Sequence, residues 1–128
     1  MSTLTPYLCV EDARRAIAWY REHLGAEVVI EPIVMPDGRI GHVELEIGGA
    51  CWMMADPFPE IGVVAPSESQ ATPVTLHLTV PGVDAVADAV QRAGITFDRG
   101  PEDDDHAGRI AGFRDPFGHR WLLNTPKS

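Results

Sequence analysis

GRIAGFRDPFGHRWLL, residues 108–123, repeats an earlier stretch of the same chain, GRIGHVELEIGGACWMM at residues 38–54. Gly38, Arg39 and Ile40 recur as Gly108, Arg109 and Ile110, Val43 as Phe113, Ile47 and Gly48 as Phe117 and Gly118, and Trp52 as Trp121, at an offset of 70 that shrinks to 69. Working outward, residues 5–10, TPYLCV, match residues 75–80, TLHLTV. The helical pattern ending at Leu24 and Gly25 likewise matches the one ending at Ala93 and Gly94. Two copies at so long a period indicate a duplicated module inside one fold, since solenoid repeats run roughly 20 to 50 residues.

At 128 residues the chain has the size of one domain, with a core large enough to hold but too small to divide into two independently stable ones. Module one is placed at residues 1–64, a linker at 65–72 and module two at 73–128. A net charge of −9 speaks against a surface that tracks nucleic-acid phosphates. The acids Asp103, Asp104 and Asp105 read as part of a solvated loop over residues 101–107 rather than as a metal site. No apolar run approaches the roughly 18 residues that span a bilayer, and no charged-then-apolar leader opens the chain, so no membrane and a cytoplasmic location are expected. Cys9 and Cys51, outside any CxxC spacing, fit thiols in a reducing compartment.

Alternation over residues 4–10 puts Leu4, Leu8 and Val10 on one face of a strand and Thr5, Tyr7 and Cys9 on the other. Glu11 or Asp12 then caps a helix with apolar positions Ala13, Ala16, Ile17, Tyr20 and Leu24, stopped by Gly25. Residues 28–33 form a strand that Pro32 marks as an edge or a bulge. A Pro36-Asp37-Gly38 turn leads to a strand over 40–47, and Gly48-Gly49 to one around 51–55. The pattern repeats from residue 74, with Val83, Val86, Val90 and Ala93 striping a second helix and Asp115-Pro116-Phe117-Gly118 turning between the last two strands. The fold class is therefore α+β, two βαβββ modules whose curved sheets form a cup.

Each helix covers one sheet face, which leaves the other face with Thr5, Tyr7, Cys9, His42, Glu44, Met53, Thr75, His77, Arg114 and Leu122. Apolar residues with a few polar groups on a concave surface define a ligand pocket. His77 is either a hydrogen-bond partner or base for a ligand or a neutral histidine bonded to Thr79 or a carbonyl. Glu44 either orients the His42 imidazole or forms a plain cross-face pair with it. Arg114, in the place of Glu44 in the repeat, is either an internal ion-pair partner or an anchor for an anionic ligand. His119, Trp52, Met54 and Trp121 read as structural, and Met53 as a soft pocket wall. The ligand-binding candidates are thus Tyr7, His42, Glu44, Met53, Thr75, His77 and Arg114.

The two modules, the opening Thr5-Pro6-Tyr7-Leu8, Trp19-Tyr20, Gly25-Ala26-Glu27, the stretch from Gly41 through His42 and Glu44, and Asp115 through His119 to Trp121 together resemble the vicinal oxygen chelate superfamily of glyoxalase I, bleomycin-resistance proteins and extradiol dioxygenases. Within it the chain is most similar to the PhnB-like branch. The resemblance implies a paired-module cup completed by homodimerisation. It also implies four metal-ligand positions in the catalytic members, on the first and last strands of each module, which carry over to Thr5, Met53, Thr75 and Leu122. None of these supplies imidazole or carboxylate, so no cofactor is expected, with a divalent metal possible only away from the usual positions. The expected function is metal-independent small-molecule binding, with antibiotic sequestration or an accessory role as its forms. The alternative is a lyase or isomerase using a displaced metal or His42, Glu44 and His77 as acid and base.

Overall fold

A computed structural model describes residues 1–67 and 71–128, so the middle of the expected linker, residues 68–70, lies outside the described residues. The chain forms two compact units, Met1–Pro66 and Ser67–Ser128. The first contains β1 (Tyr7–Cys9), α1 (Ala13–Leu24), β2 (Glu27–Val34), β3 (Ile40–Ile47), β4 (Ala50–Ala55) and a 3-10 turn at Pro59–Ile61. The second contains β5 (Thr75–Thr79), α2 (Val83–Arg92), β6 (Phe97–Asp104), β7 (Gly108–Arg114) and β8 (Arg120–Thr125). Both are βαβββ modules with four-stranded mixed sheets, ordered β1-β4-β3-β2 and β5-β8-β7-β6. The first strand of each runs parallel to the last, and the remaining pairs are antiparallel.

Local chemistry explains the elements. Asp12 is the N-cap of α1, accepting from the Arg15 amide at 3.1 Å, and Gly25 ends the helix in the left-handed region at φ 68. The stripe Ala13, Ala16, Tyr20 and Leu24 is buried, as are Leu8, Val10, Val43, Leu45, Trp52 and Met54 of the sheet. The Tyr20 and Trp52 rings meet edge to face with centroids 5.5 Å apart. In the second unit Val83, Ala87 and Val90 are buried, with Leu78, Val80, Phe113, Trp121 and Leu123 as the corresponding sheet residues. Each large side chain so buried contributes roughly 1.5 to 3 kcal/mol.

Buried carboxylates tie the elements together. Asp56 accepts from the Ala13 amide at 2.8 Å and the Ile40 amide at 2.7 Å, joining the start of α1 to the start of β3. Asp115 accepts from the Phe117 and His119 amides and from Trp121 Nε1 at 2.9 Å. The turn before β8 is therefore built around one carboxylate, with the His119 backbone as one of its partners.

Several boundaries differ from the sequence expectation. β1 begins at Tyr7, and Leu4 is 97% exposed, because Pro6 has no amide to donate and contributes only its carbonyl, to Met53 N at 2.8 Å. The charged loop shrinks: Asp103 and Asp104 belong to β6, where Asp103 pairs with Arg109 and Asp104 with Gly108. Asp104 Oδ1 accepts from the His106 and Ala107 amides at 2.8 and 2.9 Å, which makes it the anchor of the following turn. Arg109 is in β7, bonded to Asp84 and Asp103. In α2 the buried position is Ala87, with Val86 only half-buried. Around Pro32, β2 carries register shifts, as its sequence indicates.

Candidate functional site

On the face of the first sheet opposite α1, Met53 lies beside Tyr7 on one side and Glu44 on the other. One rung along, Ala55 lies beside Cys9, and Ile33 beside His42. The alternation of β1, β3 and β4 thus gathers Tyr7, His42, Glu44 and Met53, four of the sequence candidates, on one face.

Three of them form a hydrogen-bonded chain. Tyr7 Oη lies 2.7 Å from the Gly41 carbonyl oxygen and 2.8 Å from His42 Nδ1. His42 Nε2 stands 2.8 Å from Glu44 Oε2. The Tyr7 and His42 rings meet edge to face, 5.2 Å between centroids. Burial, and then the Glu44 charge, raise the Tyr7 phenol above its ordinary value, so it stays a protonated donor at neutral pH.

Beside this chain is a cavity of about 580 Å³, within the usual range for small-molecule sites. Tyr7, Gly41, His42 and Ala55 form its floor. Ile33 and Met35 form one wall, and Phe58, Ile61 and Val63, from the segment after β4, form the cover. A Cβ on Gly41 would stand 2.8 Å from Met35 Sδ, so the bare glycine lets that thioether lie against β3. The cover is pinned by Arg39. Its guanidinium bonds Asp37 at 2.8 Å, the Pro57 carbonyl at 3.1 Å and both Glu60 oxygens, and its Cζ lies 3.9 Å from the Phe58 ring centroid.

Sequence reasoning missed Ile33, Met35, Phe58, Ile61, Val63 and Arg39. A signal was present in Phe58, Ile61 and Val63, apolar residues recurring inside a segment otherwise rich in Pro, Gly, Ser and Glu.

The second module keeps the register and changes the chemistry. His77 pairs with Leu122 and Thr75 with Arg120. Where the first module has His42, the second has Gly112, and a Cβ there would stand 2.6 Å from Arg120 Nη2 and 2.8 Å from Asp98 Oδ1. Arg120 grips Asp98 with two bonds of 2.9 Å and donates to Thr75 Oγ1 at 3.2 Å, so this ion pair lies over the glycine. The Arg120 bonds hold the Asp98 carboxyl below the usual range, with the Arg114 charge adding to the effect. His77 and Thr75 are exposed.

The ladders also bear on the metal positions implied by the resemblance. Met53 is in register with Tyr7 and Leu122 with His77, whereas Thr5 precedes β1. Thr5, Met53, Thr75 and Leu122 hold no imidazole or carboxylate, and taking their register partners Tyr7 and His77 in place of the threonines adds one imidazole. Both ring nitrogens of His42, nearby, are engaged by Tyr7 and Glu44. Among the described residues no group of three or more His, Cys, Asp or Glu side chains is placed to hold a metal ion. These donors do not fit the divalent metal of the catalytic members. Among the described residues, too, no helix is long and apolar enough to cross a membrane.

Comparison with known proteins agrees with this architecture. An uncharacterized protein of Mycobacterium bovis is 37% identical over 126 residues, covering 96% of this chain and 82% of its own. The uncharacterized protein Rv0887c of Mycobacterium tuberculosis is also 37% identical, with 96% and 74% covered. Among solved structures, TioX from Micromonospora sp. ML1 has a TM-score of 0.76 at 21% identity, with 99% of this chain and 100% of that one covered. TnmS3, an antibiotic binding protein from Streptomyces sp. CB03234, has a TM-score of 0.67 at 25% identity with 98% of each covered. The fosfomycin resistance protein FosX from Listeria monocytogenes has 0.72 at 15%, with 98% and 92% covered. The sequence model of the Glyoxalase/Bleomycin resistance protein/Dioxygenase superfamily matches residues 3–123, and the chain belongs to that superfamily.

Proposed function

We propose that the protein is a metal-independent small-molecule-binding member of its superfamily, acting in the cytoplasm in antibiotic sequestration or an accessory role. The observation that carries this is the 580 Å³ cavity of the first module, apolar on its walls and cover with Tyr7 and His42 at its floor. The similarity to an antibiotic binding protein at 25% identity supports it. Tyr7 and His42 contact the ligand, Glu44 holds the His42 ring, and Met53 stands between Tyr7 and Glu44. Thr75, His77 and Arg114 form a second candidate set on the second module. Assignment to the PhnB-like branch rests on the motifs around His42 and His119. A homodimer is part of the proposal, supported by the exposed Val29, Ile30, Ile33 and Val34 of β2 and tested by light scattering at micromolar concentration.

The test is calorimetric titration of a panel of aromatic antibiotics against the protein, His42→Ala and His77→Ala. Removing the His42 ring, which lines the floor and holds the Tyr7 phenol, should weaken a cavity ligand by about tenfold, the scale of roughly 1 to 3 kcal/mol for a disrupted hydrogen-bond network. Binding unchanged in His42→Ala would remove the first module from the site, and a loss in His77→Ala would bring in the second.

One observation favours a lyase or isomerase instead. Glu44 orients the His42 ring while Nδ1 of the same ring faces the Tyr7 phenol, the arrangement of an acid-base group. Stoichiometric metal retained through purification, or turnover abolished by His42→Ala, would favour the enzyme.

A further inference from the structure

The hydrogen-bond capacity of the cavity floor can be counted. Tyr7 has one proton, and both the Gly41 carbonyl and His42 Nδ1 lie within its reach at 2.7 and 2.8 Å. With a neutral His42, the ring proton on Nε2 faces the Glu44 carboxylate, and the phenol proton serves one of its two acceptors. With a doubly protonated His42, Nδ1 donates to Tyr7 Oη, Tyr7 donates to Gly41, and Nε2 donates to Glu44. In either state every proton of the chain is already committed. Only lone pairs are left over, on Tyr7 Oη, the Gly41 carbonyl, the Glu44 carboxylate and, in the neutral state, His42 Nδ1 when the phenol serves Gly41.

The charges point the same way. Glu44 and Glu46 alternate onto this face of β3, and Glu46 is in register with Glu27 of β2. Arg39, the cation that reaches the cavity cover, has its guanidinium committed to Asp37, Glu60 and the Pro57 carbonyl. An anion placed at the floor would meet lone pairs, with the Glu44 charge on the far side of the His42 ring, whereas a donor would meet acceptors.

Resting on the ligand-site reading above, we infer that this cavity selects apolar molecules that carry a hydrogen-bond donor, protonated aromatic amines first and alcohols second, and that it rejects carboxylates, phosphonates and other anions. The apolar walls bind the hydrocarbon part. Tyr7 Oη and the Gly41 carbonyl, both in the lining, accept from the head group, and the Glu44 carboxylate behind the His42 ring supplies negative charge.

Four probes of one shape separate donor from charge: 2-naphthylmethylamine, 2-naphthylmethanol, 2-naphthoate and trimethyl(2-naphthylmethyl)ammonium, titrated calorimetrically at pH 7. The amine should bind tightest and the alcohol next, with naphthoate at least about tenfold weaker than the amine, given like charges a few ångströms apart near a protein surface. The trimethylammonium probe, charged but without a donor, should fall below the amine. Glu44→Gln should narrow the gap between amine and naphthoate. Naphthoate equal to or tighter than the amine overturns the inference, and a trimethylammonium probe as tight as the amine overturns the donor requirement.

Ile33→Ala and Phe58→Ala distinguish this from failure of the site itself. Tight naphthoate binding that these variants weaken leaves the cavity as the ligand site and refutes only its selectivity. Binding indifferent to both variants, or no binding by any probe, refutes the ligand site together with the inference.

Discussion

The Arg39 guanidinium lies over the Phe58 ring, 3.9 Å from Cζ to centroid, while the same group bonds the neighbouring Pro57 carbonyl and Glu60 carboxylate. One side chain from the start of the β3 hairpin thus holds Pro57, Phe58 and Glu60 of the segment that covers the cavity. Arg39→Ala should weaken a cavity ligand about two- to fivefold, the scale of one exposed cation–π contact. Lysine, lacking the planar fork, should not restore it. Affinity measured for both variants decides, and full rescue by lysine would show that charge alone suffices.

The Asp98–Arg120 pair sets an acid limit on the second module. Asp98 is held below its ordinary value by the Arg120 hydrogen bonds first, so its contribution to stability is present above the ordinary carboxylate range, around pH 4, and is lost as pH falls through the depressed value. The melting difference between the protein and Asp98→Asn should therefore be largest near neutrality and close on acidification. Gly112→Ala, whose Cβ would meet the far ends of both partners, should displace the pair and reduce that difference. A difference that widens below pH 4 would reverse the sign assigned to the pair.

The thiols should be poor nucleophiles at neutral pH. Cys9 is pushed up to about 11 by burial, with Glu11 and Asp56 adding to it, and the exposed Cys51 is raised by desolvation and then by Glu46. Iodoacetamide at pH 8 should alkylate the folded protein slowly and at Cys51 first, since exposure separates the two. Intact-mass spectra followed over time provide the check, and Cys9 modified as fast as Cys51 would contradict its burial. The sign of the Cys9 shift also implies stability lost as pH rises from about 8.5, the ordinary thiol value, toward 11.

Asp56→Ala should cost more than any change on the cavity floor. It leaves the amides of Ala13 and Ile40 without their acceptor, at roughly 1 to 3 kcal/mol each. A chemical denaturation midpoint close to that of the unchanged protein would mean that water replaces the carboxylate.

Much of the fold was legible because the duplication states it twice. The alternation of residues 75–80 clarifies the shorter strand at 7–9, and Asp12 and Gly25 mark both ends of α1. Two boundaries escaped for local reasons: Pro6 removes a ladder donor, and Asp103 and Asp104 look like loop residues until Arg109 and Arg99 are seen to pair with them. Of the site, Tyr7, His42 and Glu44 could be grouped from period-two spacing. The Arg39–Phe58 contact could not, since only a folded turn brings residue 39 to residue 58. The difference between the modules was hidden for another reason: Gly112 looks like an ordinary strand glycine until Arg120 is seen lying across it.

The irregular pairing of β2 has a consequence for how the protein behaves in concentrated solution. β2 is an edge strand, and Val29, Ile30, Ile33 and Val34 on it are all exposed, a composition that in a flat strand invites stacking with further chains. Pro32 and three register shifts break the regular row of amides that such stacking needs. Straightening this edge by Pro32→Val should give a protein that binds its ligand yet forms fibrils, seen as a rise in thioflavin fluorescence on concentration, and no rise would leave the irregular edge without that protective role.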